Sequence, residues 1–197
     1  MMISGHEKEI ENFLRRASIF DDTEIDTFVQ QRQQLSLKKG DYLVKQGQIC
    51  RTLYFLHTGV LSLLILKDGD EHVKDFSLSG KFITAYTSFL KRTPSEIFFR
   101  AEQNCEISLW DGDYVTDLIK KNQHWTMFAK IMVDYLFQRK EQKEITMLLN
   151  TAEERYLLLI NEFPAVFQQV PQYLIASYLG IKPQSLSRIR KMLMHKH

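Results

Sequence analysis

The 197 residues are 44% hydrophobic and 25% charged, which is enough apolar material for one large domain or two small ones. The charge is only +2, and no apolar run approaches the roughly 18 residues that cross a bilayer, so a helical membrane protein is excluded. Two cysteines far apart, Cys50 and Cys105, offer no cluster for an iron–sulfur centre; one disulfide is formally possible, but two free thiols in a reducing compartment fit better.

The N-terminus, Met1 to Lys8, lacks the apolar stretch and small-residue site of a secretory leader, so the chain reads as soluble and cytoplasmic. Glu7 to Arg16 is helical in pattern, with Ile10, Phe13 and Leu14 on one face. Asp22 is placed to cap a second helix carrying Ile25, Phe28 and Val29. From Leu35 to about Trp110 the pattern becomes one of short strands. These are Tyr42–Val44, Thr52–Leu56, Val60–Leu66, His72–Phe76, Ile97–Ala101 and Glu106–Trp110. Gly40, Gly47, Gly59, Gly69 and Gly80 fall in the joints, where positive φ is often required. Strands of this length and spacing suggest a sandwich or β-roll.

After Gly112 the apolar period becomes helical. Asp113 is placed to cap a helix through Val115, Leu118 and Ile119, and a long helix is expected from about Gln123 to Asn150. A seven-residue frame puts Phe128, Tyr135, Gln142 and Leu149 at one seam position and Ile131, Gln138 and Ile145 at the other. That seam fits a two-stranded coiled-coil contact between copies; the alternative is a helix packed on its own β-domain. Thr151-Ala152-Glu153-Glu154 is a capping box that starts a new helix. The domain boundary is expected there, giving units 1–150 and 151–197.

The stretch Val170 to Lys191 reads as two short helices around a glycine turn. Leu174, Ile175, Tyr178 and Leu179 share one face, Gly180 stops that helix, and Pro183 suits the first position of the next. Leu186, Ile189 and Leu193 form the second helix's apolar stripe and leave Gln184, Ser185, Ser187, Arg188 and Lys191 outside it. These are side chains able to bond base edges or phosphates. From Pro171 onward there are five basic residues and no acidic one. Taking those five from 26 leaves 21 basic against 24 acidic before it, so the positive charge is concentrated at this end. The competing reading is a solvated helix pair closing a small bundle.

The order of parts resembles the cyclic-AMP receptor protein/FNR (Crp/Fnr) family of bacterial transcription regulators. The resemblance covers about residues 35 to 193. It is carried by Leu37 to Gly47, by Leu53-Tyr54-Phe55-Leu56-His57-Thr58-Gly59-Val60 and by the helix pair above. It implies an α+β fold with an N-terminal cyclic-nucleotide-binding-like β-roll, a long dimerisation helix and a C-terminal winged helix-turn-helix. The chain stops at His197, which leaves no room for a full wing. Gln184 and Arg188 would read bases, with Ser185 and Ser187 on neighbouring bases or phosphates and Lys191 on a phosphate. Lys182 stands where the family usually has Ser or Thr as the helix cap. The implied partners are double-stranded DNA, a second copy of the chain and RNA polymerase.

The ligand cassette departs from the family pattern. Gly80-Lys81-Phe82-Ile83 matches the lead-in, but Thr84-Ala85 replaces the ribose-binding Gly-Glu, and Ser95-Glu96 replaces the phosphate-binding Arg-Ser. A cyclic phosphate needs a charge-assisted donor, and Glu96 would repel it. Arg100 lies five residues on, out of register. Cyclic AMP and cyclic GMP are therefore expected not to bind in the usual manner. Phe82, Ile83, Tyr86, Phe89, Phe98 and Phe99 would line what remains, either as an apolar effector pocket or as filled core. No cofactor is expected. His57, His72 and His124 are isolated and His195/His197 form a terminal tail, so no metal site is expected. No catalytic constellation is visible and the chain reads as a non-enzyme; Cys50, in a polar turn, is the one thiol to test for redox sensing. A runner-up function is a ligand-binding or protein-interaction module whose helix-turn-helix has lost DNA affinity.

Overall fold

The computed structural model describes residues 5–194, so the His195/His197 tail and the first four residues of the Met1–Lys8 stretch lie outside the described residues. Two helices come first, α1 (Gly5–Arg15) and α2 (Asp22–Gln30). The cap of α2 is Asp21, not Asp22. Its carboxylate accepts from the Glu24 N–H at 2.8 Å, and Glu24 accepts from the Asp21 N–H at 3.0 Å. Only from Asp21 does the third helical position fall on a glutamate that can close the capping box.

The strands follow as β1 (Gln33–Leu37), β2 (Tyr42–Val44), β3 (Thr52–Thr58), β4 (Val60–Lys67), β5 (Asp70–Leu78) and β6 (Lys81–Ile83). After a short helix α3 (Tyr86–Lys91) come β7 (Ile97–Ala101) and β8 (Cys105–Asp111). They form two antiparallel four-stranded sheets, ordered β1-β8-β3-β6 and β2-β7-β4-β5. Strand β1 carries only a short apolar alternation, Leu35 and Leu37 about Ser36. It exists because its whole length pairs with β8, from Gln33 opposite Leu109 to Leu37 opposite Cys105. Gly59, between β3 and β4, has φ +94°, and a Cβ there would stand 2.5 Å from Cys105 Sγ and 2.7 Å from the Asn104 carbonyl. That hairpin admits glycine for both reasons.

The helices of the second half are α4 (Gly112–Lys121), α5 (Gln123–Leu149), α6 (Ala152–Glu162), α7 (Pro164–Gln169), α8 (Gln172–Tyr178) and α9 (Pro183–Met194). The cap of α4 is Asp111 rather than Asp113, accepting from the N–H groups of Asp113 and Tyr114 at 2.9 and 3.0 Å. The Thr151 capping box with Glu154 starts α6 as expected.

Three apolar clusters hold these parts together. Phe99, Ala101, Leu56, Leu61, Ile107 and Cys105 fill the space between the sheets. Trp110, fully buried, stacks on Phe28 at 4.5 Å and donates its indole N–H to the Phe28 carbonyl at 2.8 Å. That pair lies at the centre of a cluster joining α1, α2 and the start of α5 to the first sheet. The third cluster joins Val60, Leu64, Val73, Phe76 and Phe98 of the second sheet to Leu174, Ile175, Leu179, Leu186 and Ile189 of α8 and α9. This core runs across residue 150. The C-terminal helices therefore share apolar surface with the β-strands.

Candidate nucleic-acid interface

Helices α8 and α9 meet around Gly180, whose φ is +67°. The Ile181 N–H donates to the Ala176 carbonyl at 3.0 Å, and the Gly180 N–H to the Ser177 carbonyl at 3.1 Å. This pair of bonds is a Schellman ending, which glycine enters without a Cβ clash. Ile181 packs into the shared core behind it. Pro183 then opens α9, and the Lys182 carbonyl accepts the first bonds from Ser185 and Leu186 at 2.9 and 3.2 Å. Lys182 therefore stands at the cap position, with no side-chain oxygen to add.

Leu186 and Ile189 are buried and Leu193 is half-buried. Gln184, Ser185, Ser187, Arg188 and Lys191 are all exposed. At 3.6 residues per turn, Gln184, Ser187, Arg188 and Lys191 lie within an arc of about 100° opposite the apolar stripe. Among the described residues none of Lys182, Arg188, Arg190 or Lys191 has a carboxylate partner. By contrast, the exposed side of α5 neutralises its lysines locally, as in Lys130–Asp134 and Lys140–Glu144. The basic face of α9 is thus an unneutralised stripe on a rigidly backed helix.

Arg155 is a residue that sequence reasoning missed. Its guanidinium donates to the carbonyls of Asn150 (2.8 Å), Met147 (3.5 Å) and Leu179 (3.1 Å). It ties the end of α5 to the end of α8 and so sets where α9 begins. No spacing rule reveals it, since its partners are main-chain groups from two distant helix ends.

Most of the expected seam on α5 faces solvent. Ile131, Tyr135, Gln138, Gln142, Ile145 and Leu149 are exposed, with Leu149 79% exposed. Phe128 departs from this. It is buried in its own chain, edge-on to Phe13, Phe20, Phe82 and Trp125. The first turns of α5 serve the aromatic cluster; in the later turns Arg139 and Lys143 reach β5, while the apolar side chains stay exposed. Further apolar residues, Phe137 and Leu148 among them, are also exposed on this helix.

The six residues expected around an effector do not converge. Phe82 joins the aromatic cluster below the first sheet, Phe98 joins the core shared with α8 and α9, and Ile83 and Phe99 face the space between the sheets. Tyr86 is exposed, and Phe89 borders a shallow groove of about 390 Å³ between α3 and α4. Neighbouring strand residues point to opposite faces, so Phe98 and Phe99 cannot line one cavity. The same alternation carries Arg100 outward on the side of Phe98. Its guanidinium donates to Glu71 at 2.6 Å and Glu102 at 3.2 Å, and to the Tyr173 hydroxyl of α8 at 3.4 Å. Ser95 is buried with its hydroxyl donating to the Ile97 carbonyl at 2.7 Å, and Thr84 donates to the Thr52 carbonyl at 2.9 Å. Among the described residues, the cassette region therefore presents no cationic donor between the sheets.

Two further clusters carry titratable or nucleophilic groups. His57 is buried, and burial lowers its pKa. Its Nδ1–H donates to Glu9 at 2.8 Å, and its Nε2 accepts from Ser108 Oγ at 2.8 Å. The order Ser-His-Glu is that of a nucleophilic triad, but Ser108 is 0% exposed and no substrate can reach it. The bonds pin α1 to the roll. Cys50 is buried, not in an open turn, and its backbone N–H donates to Ser88 Oγ at 2.9 Å. Burial pushes the Cys105 thiol up to about 11. Both cysteines are free, and neither is placed for surface redox chemistry. Among the described residues no group of three or more His, Cys, Asp or Glu side chains could hold a metal, and no helix is long and apolar enough to cross a membrane.

Residues 34–122 match the family model for the cyclic nucleotide-binding domain. No curated protein matches the chain. Among solved structures, the fold is similar to that of FixK2 from Bradyrhizobium japonicum, with TM-score 0.72 and 17% identity, covering 84% of this chain and 85% of that one. It is also similar to CLP, the c-di-GMP responsive global regulator of Xanthomonas campestris, with TM-score 0.70 and 17% identity, covering 89% and 93%. The Catabolite Activator Protein of Thermus thermophilus gives 0.55 at 17% identity, covering 90% and 85%. The chain thus has the α+β fold of Crp/Fnr structures, with a β-roll of the cyclic nucleotide-binding type and C-terminal helices.

Proposed function

We propose that this chain is a DNA-binding transcription regulator of the Crp/Fnr type, acting as a dimer in the cytoplasm on a near-palindromic site. Its units are a sensor with the dimer helix over 1–150 and a helix-turn-helix unit over 151–197. The observation that carries this reading is the exposed stripe of α9, where Gln184, Ser187, Arg188 and Lys191 stand without acidic partners on a helix whose back is buried. Gln pairs with adenine and Arg with guanine through two hydrogen bonds each, while Ser185, Ser187 and Lys191 suit phosphates. Cyclic AMP and cyclic GMP are not its effectors in the usual manner. The outward turn of Arg100 and the engaged hydroxyls of Ser95 and Thr84 support that statement.

Selection of genomic fragments by the purified chain tests the reading. A few related sequences with two half-sites about one helical turn apart are expected. Affinity for them should fall steeply with salt, by about 0.9 in log K per log unit of salt for each phosphate neutralised. Recovery of random fragments only, with no dependence on salt, would reject DNA binding and favour an interaction module.

The dimer is supported by the later turns of α5, which are apolar yet uncovered. A helix that is apolar on more than one face wants more than one partner. Ile131→Glu with Leu149→Glu would bring like charges together along the seam. Such juxtaposition costs several kcal/mol, so the dimer dissociation constant should rise at least about 100-fold. Sedimentation equilibrium reads it directly; an unchanged dimer would move the interface elsewhere.

A further inference from the structure

Strand β5 is the edge of the second sheet, and it carries one residue too many. Leu63 pairs with Asp75 and Leu64 with Val73, so Lys74 has no partner on β4. A residue extruded in this way leaves main-chain groups outside the ladder. Helices from much later in the chain take them up. The Lys74 carbonyl accepts from Lys143 Nζ of α5, and the Val73 N–H donates to Ser177 Oγ of α8 at 3.0 Å. The same Lys143 ammonium lies 3.8 Å from the centre of the Tyr178 ring of α8. One turn earlier on α5, Arg139 pairs with Asp75 at 3.0 Å and lies over the Phe163 ring. Three elements thus meet on a single irregularity of one strand.

The apolar core behind α8 supplies adhesion without direction, since hydrophobic contact is non-directional. Directional bonds at the bulge decide where along β5 the helix sits. Helix α9 follows, because the Schellman turn and Arg155 make it rigid with α8. We propose that the Lys74 bulge is a clasp that sets the position of the α8–α9 pair on the β-roll, with Lys143 as its positioning residue and Ser177 as its second hook. Its consequence for DNA rests on the reading of α9 as a recognition helix; the clasp itself does not.

The charged and titratable groups facing Lys143 are Lys74 and Asp75 from β5, Arg139 from α5 and Tyr178 from α8. Burial pushes the Lys143 pKa down to about 8; Asp75 opposes the shift, while Lys74 and Arg139 add to it. Burial pushes the Tyr178 phenol up, so it stays uncharged over the same range. A clasped Lys143 sheds its proton from about pH 8, whereas a released lysine keeps it to near its ordinary 10.5. The released state holds more protons between those values, so the clasped state gains as pH rises through that window. The neutral amine still donates to the Lys74 carbonyl.

Hydrogen exchange of the Val73 amide, followed in the full chain, reads the clasp without DNA. Lys143→Met and Ser177→Ala should each speed it about tenfold at pH 7, as loss of one hydrogen bond predicts. The Phe55 and Ile107 amides of the first sheet should keep their rates, which shows that each variant is folded. With intrinsic exchange divided out, wild-type Val73 protection should rise about tenfold from pH 7 to pH 9 and that of Lys143→Met should stay flat. Unchanged Val73 exchange in Lys143→Met, or one pH profile for both proteins, overturns the proposal. For fragments recovered by selection, Lys143→Met should shift affinity at least about threefold while a random duplex is bound as before. Equal affinity for the selected fragment overturns the control of α9. If the wild type selects no fragment, the DNA reading fails, and the exchange experiment still decides the clasp.

Discussion

Replacing Arg188 and Gln184 together with alanine is expected to lower affinity for the selected sites by between about 30-fold and 20,000-fold. Each paired contact from guanidinium or amide to a base edge carries about 1–3 kcal/mol of discrimination. Both side chains are exposed and off the buried stripe of α9, so their loss leaves the core formed by Leu186 and Ile189 untouched. The melting temperature should therefore hold. Binding to random duplex should fall far less, because the phosphate term does not depend on sequence. Lys191→Ala should do the opposite, weakening all sequences alike and reducing the salt slope by about one. If the double variant and the wild type bind selected fragments equally, α9 is not the reading helix.

Arg100→Ala is expected to cost about 3–5 kcal/mol of stability, as removal of one partner from a buried ion group does. The Arg100 side chain is 14% exposed and that of its partner Glu102 is 4% exposed. Burial works against the Arg100 charge, but the two carboxylates, Glu71 and Glu102, outweigh it and keep the guanidinium charged. Without it the Glu102 carboxylate stays in the protein without its countercharge. The double variant Arg100→Met with Glu102→Met should recover most of the loss, because an apolar pair of similar volume needs no countercharge. Chemical denaturation midpoints separate the cases. A cost below about 1 kcal/mol for Arg100→Ala would mean that Glu102 reaches water.

The elements legible in the sequence were those with strong local signals. The β-rich middle, the long helix from Gln123, the capping box at Thr151 and the glycine-led turn at Gly180 all stand where pattern placed them. Two cap residues were displaced, from Asp22 to Asp21 and from Asp113 to Asp111, because two acidic residues compete at each start and only the bonds made decide between them. Strand β1 offers only Leu35 and Leu37 as an alternation, helix α3 is six residues long, and β6 is three. Such segments take their form from neighbours.

For the candidate site the division is sharper. The sequence by itself determined which side chains of α9 stand clear of its apolar stripe, since a helix has one period and one buried face. It also placed Ser95 and Glu96, with no arginine at either position, between Gly80–Ile83 and the strand at Cys105. Only the tertiary structure decided that Arg100 and Phe98 leave the roll while Phe99 enters it, because strand alternation orders faces without saying which is inside. It likewise decided that Phe128 turns inward to the aromatic cluster and that Lys143, Ser177 and Arg155 grip main-chain groups. Carbonyls and amides are the same at every residue, so a bond to them leaves no mark on the sequence until the chain has folded.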